Sequence, residues 1–300
     1  MRASANLTLR DACLALAVMA VWGSNFVVIH IGLAHLPPLL FATLRFTVSL
    51  FPAVLFLRRP AVPWRNLAGY GLCIGAGQFG LLFIAMNGFI TPGLASLVIQ
   101  TQVFFTIALA AAFSSERLRP YQALALSVTV TGILVILQHT DTATTPLGLG
   151  LVLAAAVCWA AGNMIVRATP GADMLAYVVW ASLFSVPPLL ALSLAIEGWD
   201  ALREGLVNAD ATTWSVVAWQ AVGNTLFGYT AWSVLLARYP VATIAPMSLL
   251  VPVFGLSASA LFLGEPLDDW KLVASALVLA GLALNVLWPR LAAGLQRARC

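Results

Sequence analysis

A chain of 300 residues that is 61% hydrophobic and only 9% charged departs from soluble domains, about one-quarter of which is charged. Its mean hydropathy of +0.96 places it with polytopic membrane proteins and sets aside the two soluble domains that length alone suggests. The net charge of +4 comes from basic residues scattered singly or in pairs, so no nucleic-acid-binding stripe forms.

A spanning helix needs about 20 mostly apolar residues, and ten such segments follow in order. The first, 11–34, begins after Arg2 and Arg10. It is longer than a signal-peptide core and nine more segments follow, so it reads as an uncleaved span. Its centre, AVWGSNFVV (20–28), carries Trp22 and Asn25. The second, 38–57, holds Arg45, the one formal charge well inside an apolar run. The third, 64–88, contains GAGQFG (75–80) with Gln78. Those letters match a dinucleotide fingerprint, but they lie inside an apolar helix without the preceding strand or the acid that motif needs. Gly71 and Gly75 read instead as a close helix contact.

Segment 91–114 carries Gln100 and Gln102, and 118–139 completes the first half. Segment 146–167 carries Trp159 and Asn163, and 173–196 follows. EGWDALREGLVNAD (197–210) is expected to be the one longer loop. Segment 211–237 carries Asn224, Tyr229 and Trp232, and 241–263 carries Ser248, Pro252, Gly255 and Ser259 at helical spacing. Segment 267–288 is last, with a basic tail at 289–300. Pro and Gly punctuate the separators, as in LPP, RRPAVP, TPG and GEP. The four cysteines form no CxxC pair, so neither metal nor cofactor is expected.

With ten spans and a cytoplasmic N-terminus, twelve Arg fall inside and only Arg203 and Lys271 outside. The positive-inside rule therefore predicts that both termini are cytoplasmic, in a bacterial inner membrane.

Residues 116–137 lie over 265–287 at an offset of 149, matching Glu116 with Glu265 and Gly132 with Gly281. Upstream the offset is 148, matching Gly75 with Gly223 and Phe79 with Phe227. Near the start it is 137, matching Trp22 with Trp159. Two units result, 11–139 and 146–288. Each has five helices, so the second enters the membrane from the opposite side. The predicted fold class is an all-α membrane protein of ten spans built as two inverted five-helix repeats. Secondary transporters use this plan, with a site near the midplane between the halves.

The Trp-Gly-Ser-Asn-Phe of the first segment, the Leu-Arg-Phe at 44–46 and the Glu-x-Leu before a glycine-bearing helix in both halves resemble the EamA family of the drug/metabolite transporter superfamily. The resemblance covers nearly the whole chain. It implies ten helices, cytoplasmic termini and export of amino acids or related metabolites. Aromatic richness and length are most similar to aromatic amino acid exporters of that family.

Every acid falls in a loop or at a helix end. A buried mid-span carboxylate of the kind that proton-coupled carriers use is therefore not expected, and the expected mode is facilitated exit or coupling by something other than an embedded carboxylate. Trp22 with Asn25, and Trp159 with Asn163, share helix faces at i,i+3 and i,i+4. With Arg45, Gln78, Gln100, Asn224, Tyr229, Trp232 and Ser248 they form the candidate substrate-binding set, lining an aromatic and amide cavity. Each amide can equally bridge helices. Arg45 can bind a carboxylate, donate to backbone carbonyls or snorkel. Glu116 and Glu265 are expected to accept backbone N–H groups at a helix start. The expected partners are a small-molecule substrate and the lipid bilayer, with no nucleic acid, and the chain is expected to act as a monomer. Other readings are hydrophobic-drug efflux and a non-transporting scaffold. No nucleophile–base set points to an enzyme.

Overall fold

The computed structural model describes residues 7–113 and 119–297, the side chains of 241, 242 and 290–297 excepted. The regular elements among them are helical. Nine helices there are long and apolar enough to cross a membrane. They include α1 (Leu9–Leu33), α2 (Pro38–Phe56), α3 (Trp64–Met86), α4 (Pro92–Phe113), α5 (Pro120–Gln138) and α6 (Pro146–Arg167). The seventh run supplies α7 (174–197). An unbroken helical run at 211–238 forms the tenth span, α8. Gln220, Asn224 and Thr225 are buried at its centre, and these polar residues keep it below the apolar threshold. α9 (Ala245–Leu263) and α10 (Asp269–Arg297) complete the bundle.

The starts are written in the sequence. Pro occupies the first turn of α2, α4, α5 and α6, where its missing N–H costs nothing. Thr8 caps α1 by accepting from the Asp11 N–H at 3.2 Å. Thr145 caps α6 by accepting from the Gly148 N–H at 3.0 Å. These caps stand at the same offset of 137 as the two tryptophans, so the repeat extends to its helix ends.

One expectation changes. The segment 197–210 is not a loop, because it holds a surface helix, Gly198–Val207. Leu202 and Gly205 are buried, with Gly205 against Pro37 and Leu40, while Trp199 and Val207 face outward. Its acids and Arg203 gave it the composition of a loop. The Glu197 carboxylate accepts from the Leu39 N–H at 2.6 Å and the Leu40 N–H at 3.1 Å, completing the start of α2. The basic tail after 288 continues α10 as helix to Arg297.

The halves interlock. α5 lies along α10, α1 along α9, and α2 along α7. The α5–α10 crossing falls at Gly132 and Gly281, the pair that the repeat equates. A Cβ at Gly281 would stand 2.6 Å from the Ala125 carbonyl oxygen, and one at Gly132 3.0 Å from that of Ala274. α3 and α8 each widen into a π-helical segment, Leu72–Phe79 and Trp219–Phe227. The offset of 148 carries one segment onto the other. Such wide turns loosen the backbone ladder and often mark functional positions.

Candidate functional site

Arg45 is the organising residue. It stands on α2 and is 1% exposed. Its Nη1 donates to Gln220 Oε1 at 2.9 Å and its Nη2 to Thr225 Oγ1 at 3.5 Å. The guanidinium carbon lies 3.6 Å from the Phe79 ring centroid, a cation–π contact. Its Nε is buried without a partner, and so is Gln220 Nε2. Among the described residues no carboxylate pairs with Arg45. The cation is held by neutral oxygens and aromatic faces alone.

The guanidinium borders a narrow cavity lined also by Phe46, Tyr70, Phe79, Ser182, Ser185, Thr225 and Tyr229. Its volume of about 10 Å³ is at the limit for one water, far below an amino acid. The halves must part here before anything larger can enter.

The π segments shape the walls. Thr225 Oγ1 donates to the Gln220 carbonyl at 3.0 Å, which holds two Arg45 partners together. Trp22 Nε1 donates to the Asn224 carbonyl at 3.1 Å. Gly228 makes room for that indole, since a Cβ there would fall on Trp22 Nε1. The Trp22 ring meets Tyr229 at 5.9 Å and Trp232 at 5.5 Å. On α3, a Cβ at Gly75 would fall on Ser185, whose Oγ donates to the Gly71 carbonyl at 2.9 Å. The close contact expected of Gly71 and Gly75 is therefore made, with α7.

The candidate residues divide into groups. Arg45 and Tyr229 line the cavity, and Trp22, Trp232 and Asn224 adjoin it through Tyr229 and the α8 backbone. Asn163 instead bridges α6 to α4, donating to Gln102 Oε1 at 2.8 Å and Thr106 Oγ1 at 3.3 Å. Trp159 packs against the main apolar core. Gln78 and Gln100 are buried but do not line the Arg45 cavity. Ser248 donates to the Ala245 carbonyl at 2.7 Å, within its own turn. Asn25 is buried with its Oδ1 unpartnered. Gln220, Thr225, Tyr70, Ser182 and Ser185 were not singled out from the sequence. Gln220 had a signal: it stands four residues before Asn224, on the same face of the span.

The bundle ends carry further polar groups. On the face where α1 begins, Asp11 accepts from Arg238 Nη1 at 2.8 Å, Tyr239 Oη at 2.7 Å and Thr8 Oγ1 at 3.0 Å. On the opposite face Glu265 accepts from the Gly93 N–H at 3.0 Å and from Ser259 Oγ, and meets Lys271 Nζ at 3.5 Å. Glu265 thus serves a helix start, but that of α4 rather than the α10 it precedes. Its counterpart Glu116 lies outside the described residues.

The profile of the EamA-like transporter family matches residues 9–138 and 146–287. The chain belongs to that family. It is 44% identical over 287 residues to a probable amino-acid metabolite efflux pump of Salmonella typhimurium, covering 92% of this chain and 95% of the relative. The Escherichia coli protein of the same description is 41% identical over 283 residues, with 92% and 95% covered. A probable terminal-alkyne amino-acid exporter of Streptantibioticus cattleyicolor is 28% identical over 293 residues, with 93% and 94% covered. A solved crystal structure superposes with a TM-score of 0.62 at 18% identity, over 93% of this chain and 96% of the other; it supports the fold. This EamA-like protein is a multi-pass membrane transporter rather than an enzyme.

Proposed function

We propose that the chain exports neutral amino acids, aromatic ones included, or closely related metabolites from the bacterial cytoplasm. The halves 11–139 and 146–288 open alternately to either face around Arg45, with both termini cytoplasmic. The observation that carries this reading is the buried Arg45, with no carboxylate partner among the described residues, in a cavity shared with Phe79 and Tyr229, with the Trp22 and Trp232 rings packed in turn behind Tyr229. A guanidinium recognises a carboxylate, and aromatic walls accept an apolar side chain. The relatives described as amino-acid metabolite efflux pumps, each matched over 95% of its length, support the same substrate class. The described acids lie at helix ends or in connections, which favours facilitated exit down the substrate gradient.

Flux of labelled phenylalanine and leucine from proteoliposomes tests the reading. Saturable exit that survives collapse of the proton gradient is expected. Trp22→Ala is expected to weaken affinity through the cavity wall, and Trp159→Ala to slow flux. The absence of amino acid flux, or both variants behaving as wild type, would overturn the proposal. Labelling of Cys300 by an impermeant thiol reagent on intact cells would overturn the orientation.

A further inference from the structure

Arg45 and Gln220 are both incompletely satisfied, and they face each other. The guanidinium has five N–H donors in a planar fork suited to two parallel bonds from a carboxylate. It receives single oxygens from Gln220 and Thr225, and its Nε has none. Gln220 gives its amide oxygen to Arg45 and keeps its amide nitrogen buried without an acceptor. An oxygen pair placed between them would satisfy both. Both side chains are buried, Gln220 fully and Arg45 to 1% exposure.

We propose that Gln220 is an internal stand-in for the substrate carboxylate. It occupies Arg45 between transport events and is displaced when a carboxylate-bearing molecule enters. This rests on the amino acid export reading and narrows it: the carboxylate becomes the obligatory part of the substrate. The residue type fits the task. A glutamate at 220 would form a buried ion pair with Arg45, strongly held once formed and costly to break. A leucine would leave the guanidinium without its nearest acceptor. The neutral amide holds the cation in place and yields to a full negative charge. The position fits as well. Gln220 sits in the π segment of α8, where the wider turns loosen the backbone ladder. The Tyr229, Ser182 and Ser185 side chains on the cavity wall offer oxygens to the substrate ammonium.

The test uses the full chain in proteoliposomes loaded with labelled phenylalanine. Counterflow is driven by unlabelled phenylalanine, phenylalaninamide or phenylalaninol, the last two keeping the ring and amine but lacking the carboxylate. Phenylalanine is expected to drive exchange at least tenfold better than either. Gln220→Glu is expected to lose exchange at least tenfold while remaining monodisperse, and to lose the thermal stabilisation that phenylalanine gives the wild type. Equal exchange with phenylalaninamide, or wild-type exchange by Gln220→Glu, overturns the inference and leaves amino acid export standing. Absence of phenylalanine exchange in the wild type overturns export itself. The three-substrate comparison needs only the wild type, so it decides the matter even if the variant does not fold.

Discussion

The two faces of the bundle solve one joining problem with different chemistry. On one face the start of α1 meets the end of α8 through side chains: Asp11 takes hydrogen bonds from Arg238, Tyr239 and Thr8. On the other face the repeat places the start of α6 against the end of α3. There the junction is backbone. The Thr145 N–H donates to the Phe89 carbonyl at 2.8 Å, and Thr145 Oγ1 donates to the same oxygen at 3.0 Å. Gly148 stands where Asp11 stands in the first repeat, and a Cβ there would fall on the Phe89 carbonyl. Both starts keep the threonine cap, and the third residue after it is Asp11 in one and Gly148 in the other. The Asp11 junction is made of side-chain hydrogen bonds, and the Gly148 junction of a close backbone approach. The two inverted copies thus join their helix ends with different chemistry.

Substitutions can break this contrast at either end, in order of expected effect. Gly148→Val forces a branched side chain into the Phe89 carbonyl, and overpacking of this kind costs about 1–3 kcal/mol. Its thermal unfolding in detergent is expected at clearly lower temperature than wild type. Asp11→Asn removes the charge from the other junction and weakens its bonds to Arg238 and Tyr239. A smaller drop in melting temperature is expected. Tyr239→Phe deletes one hydroxyl that donates to Asp11 and accepts from the Thr8 N–H at 3.3 Å, for a loss of about 0.5–1.5 kcal/mol. Arg238→Gln is expected to have the least effect, because its side chain is 51% exposed and such pairs contribute about 0–1 kcal/mol. That small effect should vanish in high salt, whereas the Gly148→Val loss should not. A salt-sensitive Gly148→Val, or an Asp11→Asn more damaging than it, would erase the distinction.

The apolar runs and their Pro and Gly punctuation located the ten spans, because lipid forces a long hydrophobic helix wherever the chain crosses. The repeat was legible through Gly132 and Gly281, whose equivalence carries a physical meaning: each admits the other's helix, Gly132 at Ala274 and Val278 and Gly281 at Ala125 and Thr129. The surface helix Gly198–Val207 was hidden because a helix lying at an edge is half polar. Arg45 was legible as a lone charge in an apolar run, but its partners were not. Gln220 and Thr225 are 175 and 180 residues away in sequence, and no local pattern reports such a meeting. Trp159 and Asn163 showed the limit of reading by symmetry. Trp22 with Asn25 and Trp159 with Asn163 each share a helix face, at spacings of three and four, yet Trp22 reaches the α8 backbone while Asn163 turns to Gln102. The widened turns of α3 and α8 had no direct signature in the letters.

Those widened turns set the angular phase of everything beyond them. An α-helix advances about 100° per residue, and each π turn absorbs one residue more than an α turn would. Deleting a single residue within 219–227 would let the segment tighten to α geometry with the phase beyond it kept, whereas tightening without a deletion would swing the remainder of α8 around its axis by about that angle. Tyr229 and Trp232 would then leave the Trp22 ring, and Arg238 would leave Asp11, although no residue contacting any of them had been altered. The bulges of α3 and α8 thus work as clocking marks, fixing which side of each helix looks inward at the centre of the bundle.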